Sequence, residues 1–183
     1  MLVWLTASGA GLAKEHYQSP QPSRDAIALK GLAMLPLERE RLANQLTAYV
    51  VNVLAKSNTE DRHRWSRRLL GMALTLHPQN PRARRTDLHL ARGLALHPIA
   101  MDWEVDVLAK YLYQRAQQLL KAEHTNAPEN AQLARYLVAL AARVDPYFED
   151  AVYAHELNRV DGQAPDWQVI TGDATHANPT THD

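Results

Sequence analysis

A chain of 183 residues has room for one domain with a real hydrophobic core. Twenty lysines and arginines balance twenty acids, which excludes a strong overall attraction to nucleic acid or to a membrane surface. There is no cysteine, so disulfides, a cysteine nucleophile and thiolate metal sites are excluded, while the redox compartment stays open.

Met1–Ala13, MLVWLTASGAGLA, is apolar and uncharged. Spanning a bilayer takes about 20 residues, so this stretch is too short to cross one alone. Three readings fit it: the later part of a signal peptide lacking its positive start, the end of a membrane helix that begins upstream, or an N-terminus that is disordered or docked on the core. The first two imply export or membrane attachment, and the third a cytoplasmic chain. Ser8-Gly9-Ala10-Gly11 lacks the Gly-Lys-Ser/Thr of a phosphate loop. Lys14–Ser23 is polar, contains Pro20 and Pro22, and reads as a linker, so residues 1–23 precede the folded domain. Arg24–Leu35 carries Ala26, Ile27, Leu29, Leu32, Met34 and Leu35. That spacing favours a short helix over a strand, although Gly31 weakens it.

Pro36 opens a long helix with Leu42, Leu46, Tyr49, Val50, Val53 and Leu54 as its buried stripe. Glu38 and Glu40 lie near its positive end and Lys56 near its negative end. Ser57-Asn58-Thr59 breaks it, and Asn58 or Thr59 caps the next helix. That helix carries Trp65, Leu69, Met72, Ala73 and Leu76 and ends at His77-Pro78. So short a connection predicts an antiparallel hairpin. Pro81–Gly93 is a third, weaker helix with Ala83, Leu88, Leu90 and Ala91. LTLHP at 74–78 recurs as LALHP at 94–98, and both read as helix-end turns.

Asp102 is expected to cap the next helix, with Val107, Leu108, Tyr111, Leu112, Leu119 and Leu120 buried. Leu133, Tyr136, Leu137, Leu140, Ala141 and Val144 make the stripe of the helix after that, which Asp145-Pro146 terminates. Phe148, Ala151, Val152, His155 and Leu157 suggest a last helix, closed by Asp161-Gly162. The folded domain therefore covers 24–161. Residues 162–183 shift to Pro, Thr, Asn, Asp and Gly, a tail expected to be irregular and disordered beyond Gly172, with Trp167, Val169 and Ile170 either docking back on the last helix, the favoured reading, or starting an interaction motif.

Ala134, Val138, Ala141 and Pro146 stand at offsets that Ser66, Leu70, Ala73 and Pro78 repeat. The order is a small residue, a large apolar one, a small one and a proline in the turn. It resembles the second-helix half of a tetratricopeptide repeat, and Pro78 and Pro146 lie 68 residues apart, twice that family's period of about 34. The Trp-Leu-Gly-Tyr pattern of the family's first helix is absent, and the intermediate position, Leu112, falls inside a predicted helix. The alternative is a generic helical bundle. The resemblance implies an all-α fold of stacked antiparallel hairpins, an α-α superhelix of roughly five to seven helices. It also implies no cofactor, and a partner protein or peptide held in a groove between repeats. Polar positions on the first helices would line that groove: Asn44, Gln45, Asn52, Lys110, Gln114 and Gln117. So few hairpins leave end helices to be covered, which suggests a homodimer through 36–58 or the last helix.

No pattern of catalytic residues emerges. His155-Glu156 matches half of a zincin motif, but Arg159 stands where the second histidine must be. There is no Gly-x-Ser-x-Gly elbow, and the acids at Asp102/Glu104/Asp106 and Glu149/Asp150 fit helix starts. The chain reads as a non-catalytic scaffold or adaptor without metal or cofactor.

Charge is unevenly spread. From Thr59 to Gly93 eight arginines face three acids, whereas from Leu94 onward six basic residues face thirteen acids. Arg64, Arg67 and Arg68 share one helix face, and Arg82, Arg84 and Arg85 follow across the Pro78 turn. Three readings compete for this basic patch: a solvated face, a dock for an acidic partner or the chain's own acidic half, and a nucleic-acid or anionic-membrane surface. Only Trp65 lies close enough in sequence for base stacking, which weighs against nucleic acid.

Overall fold

Several of the helix starts are set by a proline or a side-chain hydrogen-bond acceptor. The computed structural model describes residues 17–56, 59–101, 103–122 and 127–172. Among them α1 (Pro36–Asn52) and α3 (Pro81–Ala91) start on proline. The α1 start is also held by Glu38, whose carboxylate accepts from the Leu35 backbone at 2.8 Å. In α2 (Glu60–Leu76) the N-cap is Thr59, whose hydroxyl accepts from Arg62 N at 3.4 Å. Asn80 caps α3 through Oδ1, which accepts from Ala83 N at 2.9 Å. The remaining helices are α4 (Val105–Lys121), α5 (Ala127–Val144), α6 (Glu149–Val160) and the short α7 (Trp167–Thr171). Gly93 and Gly162 close α3 and α6 with φ of 63° and 68°, a left-handed conformation that costs glycine little. No strand occurs among the described residues, so the fold is all-α.

The closest helix pairs are α4 with α5, α1 with α2, and α5 with α6. Each hairpin follows from an apolar stripe facing its neighbour across a short turn. Ser66, Leu70 and Ala73 of α2 are buried, as are Ala134, Val138 and Ala141 of α5. Pro78 and Pro146 occupy the turns that follow. α3 packs on both helices of the first hairpin, and α7 packs on α2. One continuous core joins all these parts. Two ion pairs also link the hairpins: Arg143–Asp61 at 2.5 Å and Arg115–Glu38 at 3.1 Å.

Residues 17–35 contain no helix, contrary to the short helix expected over Arg24–Leu35. They form an irregular strap whose Tyr17, Pro20, Ala26, Ile27, Leu32 and Met34 are buried. Apart from one turn, in which Ala26 N donates to Ser23 O at 3.2 Å, its backbone polar groups pair with other elements. Ala33 N donates to Asn130 Oδ1 at 3.0 Å, and Ala26 O and Leu29 O accept from Gln132 and Arg39. Gln21 N and Ser23 N donate to Thr171 O and Val169 O of α7. Tertiary hydrogen bonds thus satisfy the strap that local propensity would have coiled.

Other expectations also change. LALHP at 94–98 is not a helix end: α3 stops at Ala91, and 94–100 runs on without regular structure. α4 begins at Val105 with Glu104 at its N-cap, and Asp102 lies outside the described residues. Val107 and Leu120 are exposed because α4 turns Leu108, Leu112 and Leu119 inward, and Leu88 and Leu157 are exposed as well. Trp167 and Ile170 dock, but on α2 and not on α6. Met1–Ala13 and the tail beyond Gly172 lie outside the described residues. No helix of the described residues is long and apolar enough to cross a membrane.

Candidate ligand-binding groove

Helical spacing on α1 aligns Arg41, Asn44, Gln45, Ala48 and Val51 along one side, and on α3 it aligns Arg82, Arg85, Thr86 and His89. The two sides face each other across adjoining cavities. One, of about 380 Å³, is lined by Val51, Arg82, Arg85, His89, Leu96 and Ile99, among others. The second, of about 410 Å³, is lined by Arg41, Asn44, Gln45, Arg82, Ile99 and Trp103, among others. Arg82 and Ile99 belong to both, so the cavities form one bipartite groove.

The third wall is Leu96, His97, Ile99, Ala100 and Trp103, and Asn52 pins it. Asn52 Nδ2 donates to Ile99 O at 2.6 Å, and Ile99 N donates back to Asn52 Oδ1 at 2.9 Å. Asn80 Nδ2 donates to Asn44 Oδ1 at 3.0 Å, tying the start of α3 to α1. The groove has an apolar floor of Ala48, Val51, Leu96 and Ile99 and a basic rim of Arg41, Arg82 and Arg85, with His89 and His97 beside them. Among the described residues no carboxylate lines either cavity. Among the described residues neither Arg82 nor Arg85 has an ion-pair partner. Gln45 Oε1 is buried with no hydrogen-bond partner, and the side chain lines the second cavity. A bound N–H would satisfy it.

The six arginines of the sequence patch do not form one surface. Arg64 pairs with Glu60 and Asp61 at 4.0 and 3.7 Å. Arg67 donates to Thr171 O at 3.0 Å. Arg68 lies over the rings of both Trp65 and Trp167, at 4.8 and 5.0 Å from their centroids, a cation–π contact on each ring. The α2 arginines therefore meet α2's own acids and α7. Arg84 donates to Pro78 O at 2.9 Å and lines a separate cavity of about 330 Å³ with Arg24, Ile27 and Leu74. Only Arg82 and Arg85 reach the groove.

The polar positions expected along a groove divide in the same way. Asn44 and Gln45 line it, and Asn52 builds its wall. Lys110 pairs with Asp106 at 2.9 Å. Gln114 is exposed and Gln117 half-buried on α4, and neither reaches the groove. Arg41, His89, His97 and Trp103 were not singled out from the sequence. The spacing of Arg41 with Asn44 and Gln45 was a usable signal. His97 and Trp103 had none, because only the path of segment 94–103 across α1 brings them there.

Another polar cluster fixes the strap. Tyr17 Oη donates to Asp87 Oδ1 at 2.9 Å, and the Tyr17 ring meets His63 edge-to-face at 6.1 Å. Burial raises the Asp87 carboxyl, against the hydrogen bonds from Tyr17 and Ser19 and the charge of Arg67. Burial likewise pushes the Tyr17 phenol well above its usual range. Tyr136 Oη donates to Asp166 O at 2.5 Å; burial first, and then the Asp166 charge, push that phenol up to about 12.

No family model matches this chain, and no curated protein or solved structure is significantly similar to it.

Proposed function

We propose that this chain is a non-catalytic helical interaction module that holds an acidic, partly apolar segment of a partner protein in the α1/α3 groove. Its paired hairpins are read as divergent tetratricopeptide-like repeats, on the matching buried positions of α2 and α5. The observation that carries the binding reading is the groove itself. Arg82 and Arg85 stand over an apolar floor, and among the described residues no carboxylate pairs with them. Guanidinium groups in such a site attract carboxylates and bind them bidentately, while the floor rewards apolar side chains by about 25 cal/mol per Å² buried. The unpartnered Gln45 oxygen suits a peptide N–H. A nucleic-acid ligand fits less well, because among the described residues Trp103 is the only Phe, Tyr or Trp side chain along the two cavities.

The test is an array of synthetic peptides that combine acidic and apolar residues in varied order, probed with the labelled chain. Peptides carrying both residue types should bind the wild type and lose at least tenfold in affinity with Arg82→Glu/Arg85→Glu, about 1.4 kcal/mol or more. Equal binding by both proteins would refute the reading. A single-stranded oligonucleotide that competes regardless of its sequence would favour the nucleic-acid alternative.

A further inference from the structure

Resting on that reading, we infer that the acidic partner is a second copy of this chain, whose α6 enters the α1/α3 groove. The two surfaces complement each other in both shape class and charge. Tyr153, Leu157 and Val160 fall at i, i+4 and i+7 on the exposed side of α6, and Tyr153 and Val160 are 72 % and 74 % exposed. Ala151, on the other side, is buried. An apolar strip of this kind on a soluble protein marks a contact surface. Around it stand the exposed acids Glu149, Asp150, Glu156 and Asp161. Of these four, Glu156 alone has a side-chain ion pair among the described residues, with Arg159 at 2.7 Å. α6 thus presents an apolar strip with an acidic rim, and the groove presents an apolar floor with a basic rim.

An amphipathic helix laid in a groove is a common recognition mode, read through anchors at this spacing. The cavities, at about 380 and 410 Å³, have room for a tyrosine and a leucine side chain. The uneven charge along the sequence then has a physical role: the arginine-rich region 59–93 supplies the rim, and the acid-rich remainder supplies the helix. The two surfaces also lie on different hairpins. α3 packs on α1 and α2, and α6 packs on α5. Two copies that exchange both contacts across a two-fold axis close as a dimer, whereas copies that make each contact with a different neighbour grow into a ring or a filament, and the sedimentation coefficients distinguish the two.

The test is sedimentation velocity of the whole chain over a range of concentrations, with two variants whose substituted side chains are exposed. The groove variant is Arg82→Glu/Arg85→Glu, and the helix variant is Tyr153→Lys/Leu157→Lys; circular dichroism checks that each keeps its helix content. Wild type should assemble with rising concentration and weaken several-fold as salt rises from about 0.05 to about 0.5 M, where screening shortens the reach of the rim charges. Each variant alone should be monomeric. A mixture of the two should form a heterodimer and stop there, because only the groove variant's α6 and the helix variant's groove remain intact. A wild type that stays monomeric overturns the inference, as does assembly that survives in either variant. Peptide binding on the array alongside a monomeric wild type would remove the self-association and leave the groove reading standing.

Discussion

Replacing Gly71 by alanine tests the packing of the strap and α7 against α2. Gly71 is buried within α2, and an added Cβ would lie 2.7 Å from Ile170 O, 2.8 Å from Ile170 Cγ2 and 3.3 Å from Pro20 Cβ. The side-chain carbon could shift, but the carbonyl oxygen belongs to the α7 backbone, so helix and strap must move apart. On helix propensity alone the substitution would stabilise by about 1 kcal/mol. Overpacking costs about 1–3 kcal/mol. Moving α7 also weakens bonds that hold it: Gln21 N to Thr171 O at 2.9 Å, Ser23 N to Val169 O at 3.1 Å, and Arg67 to Thr171 O at 3.0 Å. Each contributes about 1 kcal/mol. The expected net loss is about 2 kcal/mol, or a fall in Tm of about 4–8 °C for a chain of this size. Thermal and urea unfolding followed by circular dichroism would measure it. Tryptophan emission would report the local shift, because Trp167 meets Trp65 and Tyr136 edge-to-face at 5.7 and 5.1 Å. Gly93→Ala is the control: no heavy atom lies within 4 Å, but φ is +63°, so it should cost about 1 kcal/mol of backbone strain with unchanged emission. A Gly71→Ala protein at least as stable as wild type, with unaltered emission, would refute the close approach of α7.

Asn52→Ala should cost about 1–3 kcal/mol, since it leaves both backbone groups of Ile99 without a partner. Faster amide exchange at Ile99 would confirm it, and unchanged exchange would count against the clamp. Asp87→Asn should stabilise the protein more at pH 7 than at pH 3. The folded carboxyl is raised chiefly by burial, so its contribution is fully present below the unfolded value near 3.8 and is lost as pH rises through the folded value. Urea melts of both proteins across that range would check the sign, and a gap that does not widen with pH would refute it. Tyr136→Phe should flatten the loss of stability in alkali. A phenol raised to about 12 keeps its contribution below the ordinary tyrosine value near 10 and loses it as pH rises through about 12. Identical alkaline melts for variant and wild type would exclude that assignment.

Six helices were legible in the sequence because their signals are local. Apolar stripes at helical spacing set α1 through α6, and Pro36, Thr59, Pro81, Pro146, Gly93 and Gly162 punctuate them. The hairpins followed from the short connections. The strap was misread for the opposite reason. Ala26, Ile27, Leu32 and Met34 announce burial, but the side chains that pair with the strap backbone at Ala26, Leu29 and Ala33, namely Gln132, Arg39, Asn130 and Arg115, lie up to about a hundred residues away, and no local pattern encodes them.

The candidate groove was half visible. The sequence marked Arg82 and Arg85 as part of one patch and Asn44 and Gln45 as part of another surface. That they belong to the same site depends on α3 folding back on α1, with Asn80 bridging to Asn44. The other arginines left the patch for equally non-local reasons: Arg67 and Arg68 meet α7, whose docking on α2 no periodicity announces. The sequence by itself determined which residues form helices, since backbone hydrogen bonding and side-chain period act over a few residues. Local i,i+3 and i,i+4 pairs neutralise Arg64, Lys110 and Arg159. Tertiary structure alone decided that Arg143 meets Asp61, that Arg115 meets Glu38 and that Arg82 and Arg85 stand over a cavity, because those depend on distances between segments far apart in the chain.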